Sequence, residues 1–372
     1  MSLLFTPITL GGLTLSNRMS VAPMCQYSAR DGVPQPWHSQ HLGTMGLSGC
    51  GLVTLEATAV EPIGRITPGD LGLWDDTQEQ VLTELLEDLR TYSDAAFGIQ
   101  LSHAGRKASC NAPWVDRGRP LTPEEGAWET CGPSAIPFDE GWHTPSVLDQ
   151  AGMARIRDGF VQSARRADRA GFELLELHGA HGYLLSEFLS ALANTREDAY
   201  GGSLANRMRF PLEIAAAVRE VWPRSKALGV RLNGSDWVEG GVVPEDAAAF
   251  SRELRELGFD FVHVSSGGLA AHAKIPGAQP GYQVPFAQAV RAAVPDIAVI
   301  AVGMITEPRQ AEEIVSSGQA DMIALARAVL DDPRWGWRAA EQLGAPSHIP
   351  VQYERAGKKT WAGYTYAHHE LS

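Results

Sequence analysis

Three side chains that can handle a proton fall within six residues of this sequence, in the run His178-Gly-Ala-His-Gly-Tyr183. A neutral imidazole offers one N–H donor, and a phenol offers a proton with a pKa near 10. Side by side they can hold one oxygen and deliver one proton next to it, which is acid catalysis. His-x-x-His is also a zinc-ligand spacing, but no third ligand stands at a matching distance and a phenol is a poor one. Two histidines hydrogen-bonded within a core are the plainer alternative. The segment 194–203 that follows is too rich in turn formers to be packing filler.

These residues leave a strand-forming run, 172–177, and enter a Gly-punctuated turn followed by helix-like sequence. The same alternation runs through the chain. Strands are predicted at 19–24, 52–60, 96–103, 172–177, 227–233, 259–265, 298–302 and 321–326. Helices are predicted at 38–49, 81–92, 149–170, 205–221, 245–257, 284–293 and 307–317, with a last one after 326. Short alternating runs around Gly11-Gly12 predict a hairpin before the first of these strands. A Pro-, Gly- and Trp-rich insertion, about 104–146, follows the third, long enough to be a functional loop.

Eight strand-helix units with near-continuous apolar strands fit a parallel sheet buried on both faces. The predicted fold is a (β/α)8 TIM barrel over 1–344, with the N-terminal hairpin, the insertion after strand three and a C-terminal arm at 345–372. A doubly wound sheet is the runner-up, but its Gly-x-Gly-x-x-Gly fingerprint after the first strand is missing. The 372 residues are long for an ordinary domain but suit one barrel with insertions.

Composition narrows the partners. A formal net charge of −13 leaves no basic surplus for phosphate backbones or acidic membranes. The four cysteines, Cys25, Cys50, Cys110 and Cys131, show no Cys-x-x-Cys spacing, which fits a reducing compartment. No basic segment leads into an apolar core at the N-terminus, and no apolar run approaches the roughly 20 residues that span a bilayer. A cytoplasmic location is expected.

A barrel of this kind carries its site where strands end. That rule collects Cys25, Tyr27, Ala57, Gln100, His103, His178–Tyr183, Arg231, Ser265–Gly268, Gly303 and Arg327. Small residues after strands seven and eight, with Arg327, would make a phosphate pocket. None of the five lysines ends a predicted strand, so a Schiff-base nucleophile is lacking. Carboxylates look scarce at the rim, which weakens a metal-dependent hydrolase. What remains suits a phosphorylated organic cofactor that does the hard chemistry itself.

Five ordered motifs make the comparison more specific: Ala22-Pro-Met-Cys-Gln-Tyr27, His103-Ala-Gly-Arg-Lys107, His178-Gly-Ala-His-Gly-Tyr-Leu-Leu185, Asn194-Thr-Arg-Glu-Asp-Ala-Tyr-Gly-Gly202 and Val351-Gln-Tyr-Glu-Arg355. Over essentially its full length the chain resembles the old yellow enzymes, flavin-dependent ene-reductases, in their thermophilic-like or xenobiotic-reductase branch. The resemblance implies non-covalent FMN across the barrel mouth, with Ala22, Pro23, Met24, Cys25 and Ala57 against its ring. Gln100 would bond the pyrimidine edge and Arg231 would sit by N1. Ser266, Gly267, Gly303, Ala326 and Arg327 would hold the phosphate.

It further implies reduction of the flavin by NADPH or NADH, then of an α,β-unsaturated carbonyl compound or xenobiotic in the same place. His178 and His181 would bind the carbonyl oxygen, flavin N5 would deliver hydride to the β-carbon, and Tyr183 would protonate the α-carbon. Tyr27 would add a substrate contact. In this branch an arginine such as Arg355 reaches a neighbouring subunit's site, here with Trp361, which implies a homodimer or a tetramer of dimers. Ala22 and Val302 stand where relatives carry Ser and Trp, and Ala191 and Ala326 replace an expected Pro and Gly. These departures bear on substrate range and flavin contacts. Two rivals remain: a flavin-binding barrel without catalysis, and an iron–sulfur relative that four scattered cysteines cannot furnish.

Overall fold

A computed structural model describes residues 2–276, 279–347 and 349–367 of the chain. The hairpin forms as expected, β1 (Ile8–Leu10) pairing with β2 (Leu13–Leu15) through a turn in which Gly11 has φ 56°. Its inward residues Leu10 and Leu15 pack against Leu52, Leu174, Ala227 and Phe261, which lie at the strand starts, so the hairpin plugs the bottom of the barrel.

Eight parallel strands then close on themselves: β3 (Met19–Val21), β4 (Leu52–Ala59), β5 (Ala96–Ser102), β8 (Leu174–Gly179), β9 (Ala227–Asn233), β10 (Phe261–Ser265), β11 (Ala298–Ala301) and β12 (Met322–Leu325). Closure leaves no unpaired edge in the sheet. Around it run α1 (Pro36–Gly46), α2 (Asp76–Arg90), α3 (Gln150–Ala170), α5 (Leu204–Val221), α6 (Pro244–Glu256), α7 (Val284–Ala293) and α8 (Pro308–Ser316). The main core fills the layer between strands and helices, with Phe97, Phe160, Phe172 and Phe210 fully buried in it.

Differences from the sequence reading have local causes. Helix α2 begins five residues early because the Asp75 carboxylate accepts the Thr77 and Gln78 N–H groups and caps it. The insertion contains a two-stranded pair, β6 (Cys131–Gly132) with β7 (Ser146–Val147), too short to show a pattern. The final helix is two, α9 (Arg327–Asp331) and α10 (Trp335–Leu343), separated at Pro333. The arm continues as a short 3-10 helix, Val351–Ala356, and α11 (Tyr364–Ala367). Residues 348 and 368–372 of the expected arm lie outside the described residues. Among the described residues no helix is long and apolar enough to cross a membrane.

Candidate active site

β8 ends where the chain reverses sharply. His181 (φ 60°) and Gly182 (φ 72°) both take left-handed backbone, and Tyr183 becomes the N-cap of α4 (Leu184–Leu189). A Cβ on Gly182 would come within 2.4 Å of the Gly268 carbonyl oxygen, so the turn packs against the loop after β10 without room for any side chain. This reversal is what turns three residues of one strand end into a cluster. The His178 ring stands 5.1 Å from His181 and 4.9 Å from Tyr183, edge-on in both cases.

Burial, followed by the positive charge of Arg231, drives both imidazoles far below the usual histidine range, so they are neutral. Nδ1 of His178 accepts the Ala180 N–H at 3.3 Å, which leaves the proton on Nε2. Nε2 of His181 is 2.8 Å from the Ser265 hydroxyl. Burial, then Cys25, Asp70 and Cys110, holds the Tyr183 phenol well above its ordinary value, and it keeps its proton. The site therefore offers neutral donors and one reluctant acid.

The register of the parallel strands sets His178, Arg231 and His263 side by side on β8, β9 and β10, and Gln100 beside Glu176 on β5 and β8. Glu176 accepts from Gln100 at 2.7 Å and pairs with Nδ1 of His263 at 2.9 Å. Arg231 is different: buried, it makes no hydrogen bond or ion pair among the described residues, and its Nε is an orphan, as is Nε2 of His263. A buried guanidinium without a partner is costly unless a ligand satisfies it.

On one side of these groups Cys25, Tyr27 and Tyr183 pack with Ile66, Ala104, Ala108 and Trp128. Burial, then Asp70 and Glu56, raises the Cys25 thiol well above its ordinary value. Tyr27 (φ 49°) meets the indole of Trp114 edge-on at 5.5 Å. Ala22 and Ala57 are buried, the latter just past a bulge in β4, and Pro23 and Met24 are half-buried. On the other side Gln283 bridges the ends of β10 and β11, accepting from Ser266 at 2.6 Å and donating to the Val302 carbonyl at 3.3 Å. Gly303 (φ 113°) needs its glycine, because a Cβ would meet Gln283 Nε2 at 2.4 Å. Gly267 lies beside Ile275. Ala326 caps the first turn of α9, and Arg327 beyond it is exposed without a partner among the described residues.

Arg355 and Trp361 are not drawn into this cluster. Both are exposed on the arm, which leans on its own barrel through Tyr353 against Trp337 and through the Tyr364 hydroxyl on Glu341. The expected scarcity of carboxylates near the mouth is corrected: Glu56, Asp70, Glu176 and Glu187 are all buried there. The signal was present, since Glu56 and Glu176 interrupt apolar strand runs where charges are rare. The carboxylates are committed to internal partners, Glu56 to His38 and the Gln26 N–H, Asp70 to Ile66 and Thr67. Among the described residues no group of three or more His, Cys, Asp or Glu could hold a metal ion.

A TIM barrel with a buried arginine at its mouth that lacks a partner among the described residues, glycines at the ends of its later strands and neutral acid groups beside them has the parts to hold a phosphorylated organic cofactor. Residues 3–345 match the family model described as the NADH:flavin oxidoreductase / NADH oxidase family. A protein named NADPH dehydrogenase from Geobacillus sp. (strain WCH70) is 43% identical over 356 residues, 95% of this chain and 98% of the relative. Another of that name from Bacillus subtilis (strain 168) is 43% identical over 354 residues, 95% and 98% of the two chains. Among solved structures, morphinone reductase aligns with a TM-score of 0.76 and 27% identity, covering 96% of this chain and 92% of its own. A 2-naphthoyl-CoA reductase complex aligns with a TM-score of 0.82 at 23% identity, over 94% of this chain; the present chain spans 53% of its length, and the likeness speaks for the fold alone. The chain belongs to this family of FMN-dependent flavin oxidoreductases, the old yellow enzymes.

The residues present fit FMN. The Arg231 guanidinium, with its orphaned Nε, would supply a fixed cation to a reduced ring that gathers negative charge, and the positive-φ glycines Gly267 and Gly303 at the ends of β10 and β11 would offer backbone N–H groups to a phosphate.

Proposed function

We propose that this protein reduces the activated C=C bond of α,β-unsaturated carbonyl compounds at the expense of NADPH. FMN, when bound, would supply the hydride chemistry that links the nicotinamide to an electrophilic carbon. Ala22–Cys25, Ala57, Gln100 and Arg231 would hold its ring. Ser266, Gly267, Gly303, Ala326 and Arg327 would hold its phosphate, Arg327 bidentately from its exposed position at the start of α9. NADPH as reductant is supported by the names of the relatives, and nicotinamide binding by a morphinone reductase structure solved with tetrahydroNAD.

The chain's own residues do the rest. His178 offers its Nε2–H to the carbonyl oxygen, and His181 offers the nitrogen it now shares with Ser265. Both polarise the C=C bond and stabilise negative charge on that oxygen, each preorganised donor being worth about 3 kcal/mol. Tyr183, kept protonated by burial, gives its proton to the α-carbon. Tyr27 closes the substrate space. The observation that carries this reading is the packing of the neutral His181 imidazole and the protonated Tyr183 phenol around the neutral His178 ring, at 5.1 and 4.9 Å.

Anaerobic stopped-flow separates the steps. Tyr183→Phe should slow reoxidation of the reduced holoprotein by 2-cyclohexen-1-one by about 100-fold, within the range for loss of a general acid, while NADPH still bleaches the flavin at the wild-type rate. Equal slowing of both half-reactions would falsify the assignment, and a purified protein without a yellow chromophore would remove the reading altogether.

A further inference from the structure

Lys107 is a half-buried cation beside Tyr183 with no part in the reaction above. It sits on the single helical turn Gly105–Lys107 that follows β5 and opens the insertion. Its ammonium donates to the carbonyl oxygens of His181 at 2.9 Å and Gly268 at 2.8 Å. It also lies 5.1 Å from the centre of the Tyr183 ring and 4.5 Å from that of Phe138, an insertion residue. Two of its three N–H groups are thus spent on backbone, and the remaining positive edge is shared between two π faces.

The placement is selective. The two carbonyls belong to the turn that carries one oxygen-binding histidine and to the loop that the turn abuts. One ring belongs to the proton donor. Other titratable or charged groups facing the ammonium are Arg106 on its own turn, Cys110 on the insertion and Glu187 on α4. Burial, the largest influence, pushes Lys107 down to about 8, so the side chain is still a cation at neutral pH. Its charge also helps to keep both imidazoles neutral.

We propose that Lys107 is a positioning residue for the proton transfer: it pins the His181 turn to the Gly268 loop and stabilises negative charge on Tyr183 as the proton leaves. The assignment rests on the reading of Tyr183 as donor. The step balances without another reactant, since the O–H bond of Tyr183 breaks, a C–H bond forms at the substrate α-carbon, and the phenolate regains a proton from water.

Lys107→Gln separates charge from scaffold, because its amide keeps two N–H donors but loses the cation; Lys107→Arg keeps the cation. Both, with Tyr183→Phe and the Tyr183→Phe/Lys107→Gln double variant, are measured as holoproteins after flavin retention and melting temperature are checked. The expected result is that Lys107→Gln slows reoxidation by 2-cyclohexen-1-one about 10- to 100-fold. Flavin reduction by NADPH stays within about threefold, Lys107→Arg recovers most of the loss, and Lys107→Gln adds less than about threefold in the Tyr183→Phe background. Should Lys107→Gln lose its flavin, the Arg variant still decides, its reoxidation at the wild-type rate supporting the role and a slowing equal in both half-reactions overturning it. Full additivity with Tyr183→Phe also overturns it. Wild-type reoxidation by Tyr183→Phe alone would instead show that the donor reading itself is wrong.

Discussion

Arg231 gives the residue scale its sharpest test. An unpaired buried guanidinium is tolerated only where function needs it, and here its neighbours His178 and His263 are held neutral by burial and by that same charge. Arg231→Leu removes both the desolvation cost and the fixed cation, so the apoprotein should remain folded while losing its grip on the ring. A charge-assisted hydrogen bond is worth about 1.5–3 kcal/mol, which predicts an FMN Kd raised about 10- to 100-fold in a flavin-fluorescence titration. Unchanged FMN affinity would mean that the guanidinium serves something else. His178 shows the same economy of parts: one backbone N–H from Ala180 selects the tautomer that leaves Nε2–H free to donate.

At the scale of elements, the turn from β8 into α4 carries the cluster, and two substitutions probe it. Gly182→Ala places a methyl 2.4 Å from the Gly268 carbonyl oxygen, at a φ of 72° that L-residues resist. The expected cost is about 3 kcal/mol, read by urea unfolding, together with a raised KM for enones; a variant as stable as wild type would show that the two loops can part. Glu187, buried on α4, accepts the Arg106 N–H through one oxygen while the other lacks a partner. Burial raises its carboxyl from 4.5 to about 7 despite Arg106. Because the folded state then holds a proton that the unfolded chain releases, this contribution to stability is present below about pH 4.5 and is lost as pH rises towards 7. The loss is on the order of 3 kcal/mol. Glu187→Gln should flatten that part of the profile in unfolding measurements from pH 4.5 to 8, and a profile as steep as wild type would place the titrating group elsewhere.

At the scale of the whole molecule, the arm is the part that leaves the most side chains exposed. Val351 and Tyr366 are 73% and 77% exposed, and Arg355 and Trp361 also face solvent. Exposed apolar residues in such density mark an interaction surface, and with the resemblance they support a homodimer in which Arg355 serves the partner's site. Sedimentation should give a multiple of the 40.1 kDa chain. Ending the chain at residue 344 should return the monomer and raise the enone KM, whereas an unchanged mass would leave the arm on its own barrel. Most of the architecture was legible in the residues, because apolar strand runs, Gly turns and helix spacing are local patterns that a parallel barrel must repeat. The His178–Tyr183 cluster was legible too, since a strand end is a position in sequence. The charges were not. That Glu176 would meet His263, that Arg231 would remain unpaired, and that Lys107 would reach His181 and Gly268 depends on strand register and loop contact across the closed barrel. Spacing along one strand cannot encode which residue of another stands opposite it, so sequence settled which groups reach the mouth and the tertiary fold decided which of them are left free to react.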